Sequence, residues 1–148
     1  MKTSARILFV VMLVSAPASA QQPAETIGHI QKVEGIASIE RGGTTLPGAV
    51  GAVLYRGDRV RTGKPGAMGI VLTDDTAVSL GSGSELAVND YAFDPKEGKL
   101  ALSIRMIKGT FAYITGQIVK LAPDSARVQT PDATIAVRGT KLLIKIEE

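Results

Sequence analysis

RVQTPDATIAVRGTKLLIKI, residues 127–146, alternates apolar and polar residues with a single break. Ala133, Ile135 and Val137 share one parity, with Thr134, Ala136 and Arg138 between them. That two-residue period is the mark of a strand with one buried face. After Gly139 the apolar residues continue as Leu142, Ile144 and Ile146, now on the opposite parity. A straight strand cannot do this, because a slip of one residue turns every side chain to the other face. The break at Arg138-Gly139 is therefore a tight turn or a bulge, built on the residue that tolerates such backbone best. Arg-Gly is a poor two-residue hairpin turn. The expectation is a kinked or bulged strand.

Working outward, Leu100, Leu102, Ile104 and Met106 give the cleanest alternation in the chain. Lys108-Gly109 reads as a turn into a strand over Thr110 to Ile114, and Gln117 to Leu121 as one helical turn or a strand, ended by Pro123-Asp124-Ser125. Upstream, Leu86 and Val88 alternate inward while Tyr91 and Phe93 fall on the other parity, which places a second bulge at Asn89-Asp90. Asp94 to Lys99 is an exposed loop. Ala67–Leu72 and Thr76–Leu80 pair as strands. A two-residue Asp74-Asp75 loop sets Val71 opposite Val78, with apolar groups on both faces; a longer loop shifts that register. Turns fall at Arg41-Gly42-Gly43, Arg56-Gly57-Asp58, Gly63 to Gly66 and Gly81 to Ser84. The strands between them are His29–Val33, Ile36–Glu40, Thr44–Leu46 and Arg59–Thr62. No sustained helical periodicity follows residue 20. The fold class is all-β: an antiparallel β-sandwich or roll, or a solenoid-like stack of short strands, over residues 28–148.

Residues 1–20 stand apart. Lys2 and Arg6, the apolar run ILFVVMLV (7–14) and Ala18-Ser19-Ala20 form the three parts of a secretory signal peptide cleaved after Ala20. The run is too short to span a bilayer as a helix, and a polar lead-in over 21–27 precedes the domain. Without residues 1–20 the 17 basic residues become 15 against 14 acidic ones, and the net charge falls from +3 to +1. That balance argues against nucleic acid as a partner. The absence of cysteine leaves the core to hold by packing alone. The expected location is the periplasm, with secretion as the alternative and no transmembrane segment after cleavage.

Catalytic chemistry finds little footing. There is no thiol, and the one imidazole, His29, sits on the first strand without a nucleophile motif; it reads as a surface or edge-strand histidine. Zinc lacks its usual ligands, and no cofactor is expected. Asp74, Asp75, Asn89, Asp90 and Asp94 carry calcium-type oxygens, but their spacing matches no calcium loop and they read as turn formers. Arg56, Arg59, Arg61 and Lys64 cluster, and Arg59 and Arg61 share a strand face that can contact an anion or a partner; the plainer reading is a solvated strand. Asp58 and Thr140 read as structural, their short polar side chains bonding to nearby backbone.

These residues resemble the FecR domain family. The resemblance is carried by Gly35 with its flanking strands, then LYRGDRVRTG (54–63), IVLTDDTAVSL (70–80), LALSIRMIKGTFAYITG (100–116) and VQTPDATIAVRGTKLLI (128–144), in the family's order and over nearly all of the chain after residue 20. Its most specific positions are Gly57, Asp58 and Thr62, and then Thr130, Pro131, Arg138, Gly139 and Thr140. The resemblance implies a periplasmic all-β module, named for a regulator of iron-citrate uptake that passes a signal from an outer-membrane transporter toward a sigma factor. This sequence departs from that regulator. It carries no cytoplasmic segment and no span to connect one, it stops soon after the VRGT strand, and Asp75 stands where the family often has Gly.

The expected function is a non-enzymatic periplasmic module that binds another protein of the periplasm or outer membrane, by strand addition at a sheet edge. A homo-oligomer is compatible with this. The alternative is a carrier of an envelope glycan or lipid, using the apolar 67–80 hairpin beside Arg59 and Arg61. A free edge after Ile146 favours dimerisation or strand addition, whereas Lys141, Lys145, Glu147 and Glu148 act to discourage it.

Overall fold

The computed structural model describes residues 25–147. The signal-peptide reading of 1–20, most of the 21–27 lead-in and Glu148 lie outside them. Ten strands form one sheet: β1 (Thr26–Arg41), β2 (Thr44–Pro47), β3 (Val53–Tyr55), β4 (Arg59–Leu72), β5 (Ala77–Leu80), β6 (Glu85–Asp94), β7 (Lys99–Ile114), β8 (Ala126–Gln129), β9 (Thr134–Ala136) and β10 (Lys141–Ile146). One short α-helix, α1 (Gln117–Leu121), followed by a 3-10 turn over Pro123–Ser125, joins β7 to β8, and a second 3-10 turn over Pro95–Glu97 joins β6 to β7. The all-β class therefore holds. All the described pairings are antiparallel except that of β7 with β8.

Three long strands run through both halves of the sheet. β1, β4 and β7 each change which parity faces the core part-way along or bulge without changing it, as β4 does. In one half β4 pairs β5, which pairs the end of β7; in the other β4 pairs β6, which pairs the start of β7. The halves close on one core that takes Ile30, Ile70, Leu80, Phe111 and Tyr113 from the first and Ile39, Val60, Leu86, Ile104 and Met106 from the second. The sheet is thus a roll.

The kinks correct two expected turns. Gly63 to Gly66 does not reverse the chain; β4 runs through it, and residues 63–65 bulge opposite Ile36, with Gly35 paired to Gly66 and Ala37 to Thr62. The two strands expected around Gly35 are accordingly one, with Gly35 at φ +67°. Lys108-Gly109 is likewise a kink inside β7, where the buried set switches from Leu102, Ile104 and Met106 to Phe111 and Tyr113. Glycine is required there, because a Cβ at Gly109 would lie 2.1 Å from Ser84 Oγ. Lacking partners to inspect, sequence alone cannot tell a glycine that reverses a strand from one that bends it.

Other readings match. The Gly42-Gly43 hairpin has both residues at positive φ, as a type I′ turn demands. The register shift between Val88 and Asp90 puts the bulge at Asn89, and Leu86, Val88 and Tyr91 all reach the core. The β4–β5 loop is the longer alternative. Ile70 pairs Val78 and Val71 pairs Ala77, leaving Thr73, Asp74 and Asp75 as a three-residue loop. The one-residue difference gathers Met68, Ile70, Leu72, Val78 and Leu80 on the buried face, so the hairpin is not apolar on two covered faces. Asp75 closes the loop at φ +69°, the left-handed place in a three-residue hairpin. Asp75→Gly should leave stability unchanged within about 0.5 kcal/mol or raise it, whereas β-branched Asp75→Val should cost about 1–2 kcal/mol. Urea melts of the two variants check this.

The break at Arg138-Gly139 is not a bulge in one strand. β9 pairs β8 and β10 pairs β7, so the chain changes partners between them, with Gly139 at φ +87°. The parity switch is real all the same: Ile135 and Val137 before it, and Leu142, Ile144 and Ile146 after it, pack on the core. Ala133, the first residue of that alternation, is exposed in the β8–β9 turn.

Candidate functional site

Three buried polar latches hold the roll, and each uses a residue singled out by sequence. Asp58 follows Gly57, which stands at φ +87°. Its carboxylate, 3% exposed, accepts from Tyr55 N at 2.9 Å and from Arg41 Nε and Nη2 at 2.8 and 2.6 Å. Arg41 also lies 4.4 Å from the centre of the Tyr55 ring. The Arg41 fork raises its own pKa through the Asp58 hydrogen bonds and ties the end of β1 to the turn before β4. Sequence reading identified Asp58 and its backbone bond but not Arg41, which lies 17 residues away.

Thr62 is the second latch. Its buried hydroxyl donates to Gly81 O at 2.6 Å and accepts from Ser84 N at 2.9 Å, pinning the β5–β6 turn onto β4. Asp74 is the third and the most enclosed. At 0% exposure its carboxylate accepts from Thr76 Oγ1 (2.8 Å), Thr76 N (3.2 Å), Ile118 N (3.1 Å) and the Tyr91 hydroxyl (3.2 Å). Asp74 N donates to Tyr91 Oη at 2.9 Å, and Asp74 O accepts from Gln117 N at 2.8 Å. One side chain thus joins the β4–β5 loop, β6 and α1. Its carboxylate oxygens are spent on the fold, while Asn89, Asp90 and Asp94 sit apart on β6.

Burial raises the pKa of both tyrosines beside this latch: Tyr113 to about 12, and Tyr91 higher still. Desolvation of the phenolate is the largest cause in each. Unfolded tyrosine titrates near pH ~10. The folded state therefore holds its protons longer, so this stability is complete below pH ~10 and is lost as pH rises toward the folded values. Thermal melts between pH 8 and 11.5 (roughly, bracketing the free value) should show Tm falling above about pH 10, and Tyr91→Phe should flatten the fall.

The remaining motif residues occupy the β8–β10 region. Thr130 Oγ1 accepts from Ala133 N at 3.1 Å, closing the turn that carries exposed Pro131. Thr140 acts through its carbonyl, which accepts from Thr115 N at 3.1 Å, and not through its hydroxyl. Arg138 and Gly139 are exposed beside α1, lining a groove with Val119, Lys120, Pro123 and Asp124.

Arg59 and Arg61 do share an outward face, but carboxylates already meet them. Glu85 lies 3.2 Å from Arg59 Nη1 and 2.9 Å from Arg61 Nη2, and Glu40 is 3.0 Å from Arg61. Any anion there competes with Glu85. His29 is exposed on β1 between Val53 and Val71, a surface histidine.

The surface with unspent capacity lies on β10. This strand pairs β7 through six residues and no other strand among the described residues. Leu143 on its outer face is 71% exposed, and nearby Ile114 on β7 is 46% exposed. Thr115 N donates to Thr140 O, and Thr115–Thr140 continues the β7–β10 register. By antiparallel alternation, Leu142, Ile144 and Ile146 turn their backbone groups toward β7. Lys141, Leu143 and Lys145 turn theirs to the open side. Sequence parity grouped Leu142, Ile144 and Ile146 without singling out Leu143; only the pairing shows that its amide is unspent.

A family model described as FecR protein matches residues 58–148. This chain belongs to the FecR family. Within this FecR chain the matched span runs from Asp58 through Thr62, Asp74 and all of β10, so the Thr62 and Asp74 latches and the open edge fall inside it, while Arg41 and Tyr55, the partners of Asp58, precede it. No curated protein matches. One solved structure, described as a cell surface anchoring domain, is 29% identical over 41% of this chain and 82% of its own, with a TM-score of 0.39. Among the described residues no helix is long and apolar enough to cross a membrane.

Proposed function

We propose that this FecR-family chain is a non-enzymatic, protein-binding module of the cell envelope, exported to the periplasm, where it serves as an adaptor in signalling. The observation that carries this reading is the β10 edge: a row of backbone donors and acceptors beside the exposed Leu143 and Ile114 side chains. Such an edge gives affinity through main-chain bonds and selectivity through alternate side chains. The three latches support it by making the sheet a firm template. Export rests on the residue 1–20 pattern, and a partner in the periplasm or outer membrane follows from that location.

A mild cross-linking pull-down from periplasm and outer membrane tests the reading. The wild-type chain should recover a specific protein, and Leu143→Lys, which sets a charge on the apolar edge, should lose it. Equal recovery by both chains sinks the edge as the binding surface.

The lipid or glycan carrier is the weaker reading. An open apolar hollow of about 390 Å³ does exist, among Leu80, Phe111, Ala112, Leu143 and Ile144. It lies in the β5–β7–β10 half, whereas Arg59 and Arg61 sit on the β4–β6 half and are held by Glu85. The hollow and the basic pair are not brought together.

A further inference from the structure

The two halves of the roll are unequal on the side of β7 away from β5 and β6. One half carries two strands there, β8 and then β9; the other carries only β10. The position beside β10 is open, and a groove of about 430 Å³ lies next to it. Ile135 of β9 and Ile144 and Ile146 of β10 supply its apolar lining, and the Thr130-Pro131-Asp132 turn adds polar groups. Ile135 and Ile146 remain only partly buried against the core. A strand added at this place must offer an apolar row to these isoleucines and a polar row to solvent.

We infer that the occupant is the β10 of a second copy, added antiparallel about a two-fold axis through Ile144. This rests on the reading of the β10 edge as a protein-binding surface and names the partner it fits. The charges select the register. Centring the pair on Leu143 would set Lys141 opposite the partner's Lys145 twice, and like charges directly opposite are destabilising. Centring it on Ile144 sets Lys141 opposite the partner's Glu147, twice by symmetry, and Leu143 beside the aliphatic stem of the partner's Lys145. The inner row then reads Leu142 against the partner's Ile146, with Ile144 against its counterpart. This register also keeps the pleat, because the amides of Lys141, Leu143 and Lys145 meet the same open-side groups of the partner. The lysines that protect the edge against one pairing thus specify another. Glu147 now meets Lys145 of its own strand at 3.4 Å with both side chains exposed, a contact weak enough to exchange.

Sedimentation velocity over a concentration series of the full mature chain tests this. The wild type should form a dimer. Lys141→Glu, which faces Glu147, and Glu147→Lys, which faces Lys141, should each raise the dimer dissociation constant roughly tenfold, since each disturbs two pairs. The double variant K141E/E147K should restore it. Both positions are exposed, so the variants should fold, and circular dichroism checks that they do. A chain that stays monomeric, or a dimer indifferent to the single reversals, overturns self-pairing. If the pull-down still yields another protein that Leu143→Lys abolishes, the edge reading survives and only the identity of the occupant falls.

Discussion

Asp74→Ala should lower the stability of the domain by about 3–5 kcal/mol in equilibrium urea unfolding, because it leaves buried donors without an acceptor. The carboxylate is fully enclosed and accepts from two backbone amides and two hydroxyls, contributed by its own loop, β6 and α1. Removing it strands Thr76 N, Thr76 Oγ1 and Ile118 N in a space closed to water. Tyr91→Phe should cost less, about 1–3 kcal/mol, since it leaves the carboxylate its other three donors and strands only Asp74 N, which donates to the Tyr91 hydroxyl. Asp74→Asn keeps an acceptor but turns an amide toward one of the donors, and should fall between the two. A loss below about 1 kcal/mol for Asp74→Ala would mean that the loop, β6 and α1 are held by packing and not by this latch.

The second large effect is expected at Gly109. A methyl group there would lie 2.1 Å from Ser84 Oγ and 2.5 Å from Ser84 Cα, on a residue at φ +105°. The first contact could be relieved by a side-chain rotation; the second is backbone and cannot. Gly109→Ala should therefore cost more than about 4 kcal/mol and yield little soluble protein. Gly139→Ala is the control. It too has a positive φ, of +87°, but nothing lies within 4 Å of the added carbon, so only the backbone term of about 1–2 kcal/mol remains. Yields and melts of the two variants separate a kink that is sterically required from a bend that is merely favoured.

These two sites also show how much was legible in the sequence. Period-two alternation located most strands and the residues that reach the core, and a parity switch located the Asn89 bulge, because both signals are local. Gly109 looked like a turn because a glycine at a parity break has the same local signature whether the strand reverses or bends, and Gly63 to Gly66 because its Gly and Pro residues mark turns and bulges alike. The distinction depends on strands far along the chain: Ser84 presses on Gly109, and Ile36 faces the 63–65 bulge. The Arg138-Gly139 break failed as a bulge for a related reason, since a change of pairing partner between β9 and β10 leaves no mark in spacing.

The candidate site was half legible. Asp58 was read as a backbone-bonding turn residue and is one, while its ion partner Arg41 could not be found by proximity in sequence. Asp74 was read among turn formers, and its bonds to Tyr91 and Ile118 need the assembled fold to be visible. Arg59 and Arg61 looked available for an anion because Glu85, which neutralises them, lies on another strand. Leu143 was not singled out, although the parity that groups Leu142, Ile144 and Ile146 leaves it on the other face.

The most direct test of the central claim is site-specific photo-cross-linking from position 143 in the native envelope. A photoreactive residue replacing Leu143 should give one predominant protein adduct, whose mass identifies a second copy or another chain. The same residue at Lys96, in the exposed turn between β6 and β7, should give none in common with it. Identical adducts from both positions, or no protein adduct from 143, would contradict the account of β10 as a binding edge.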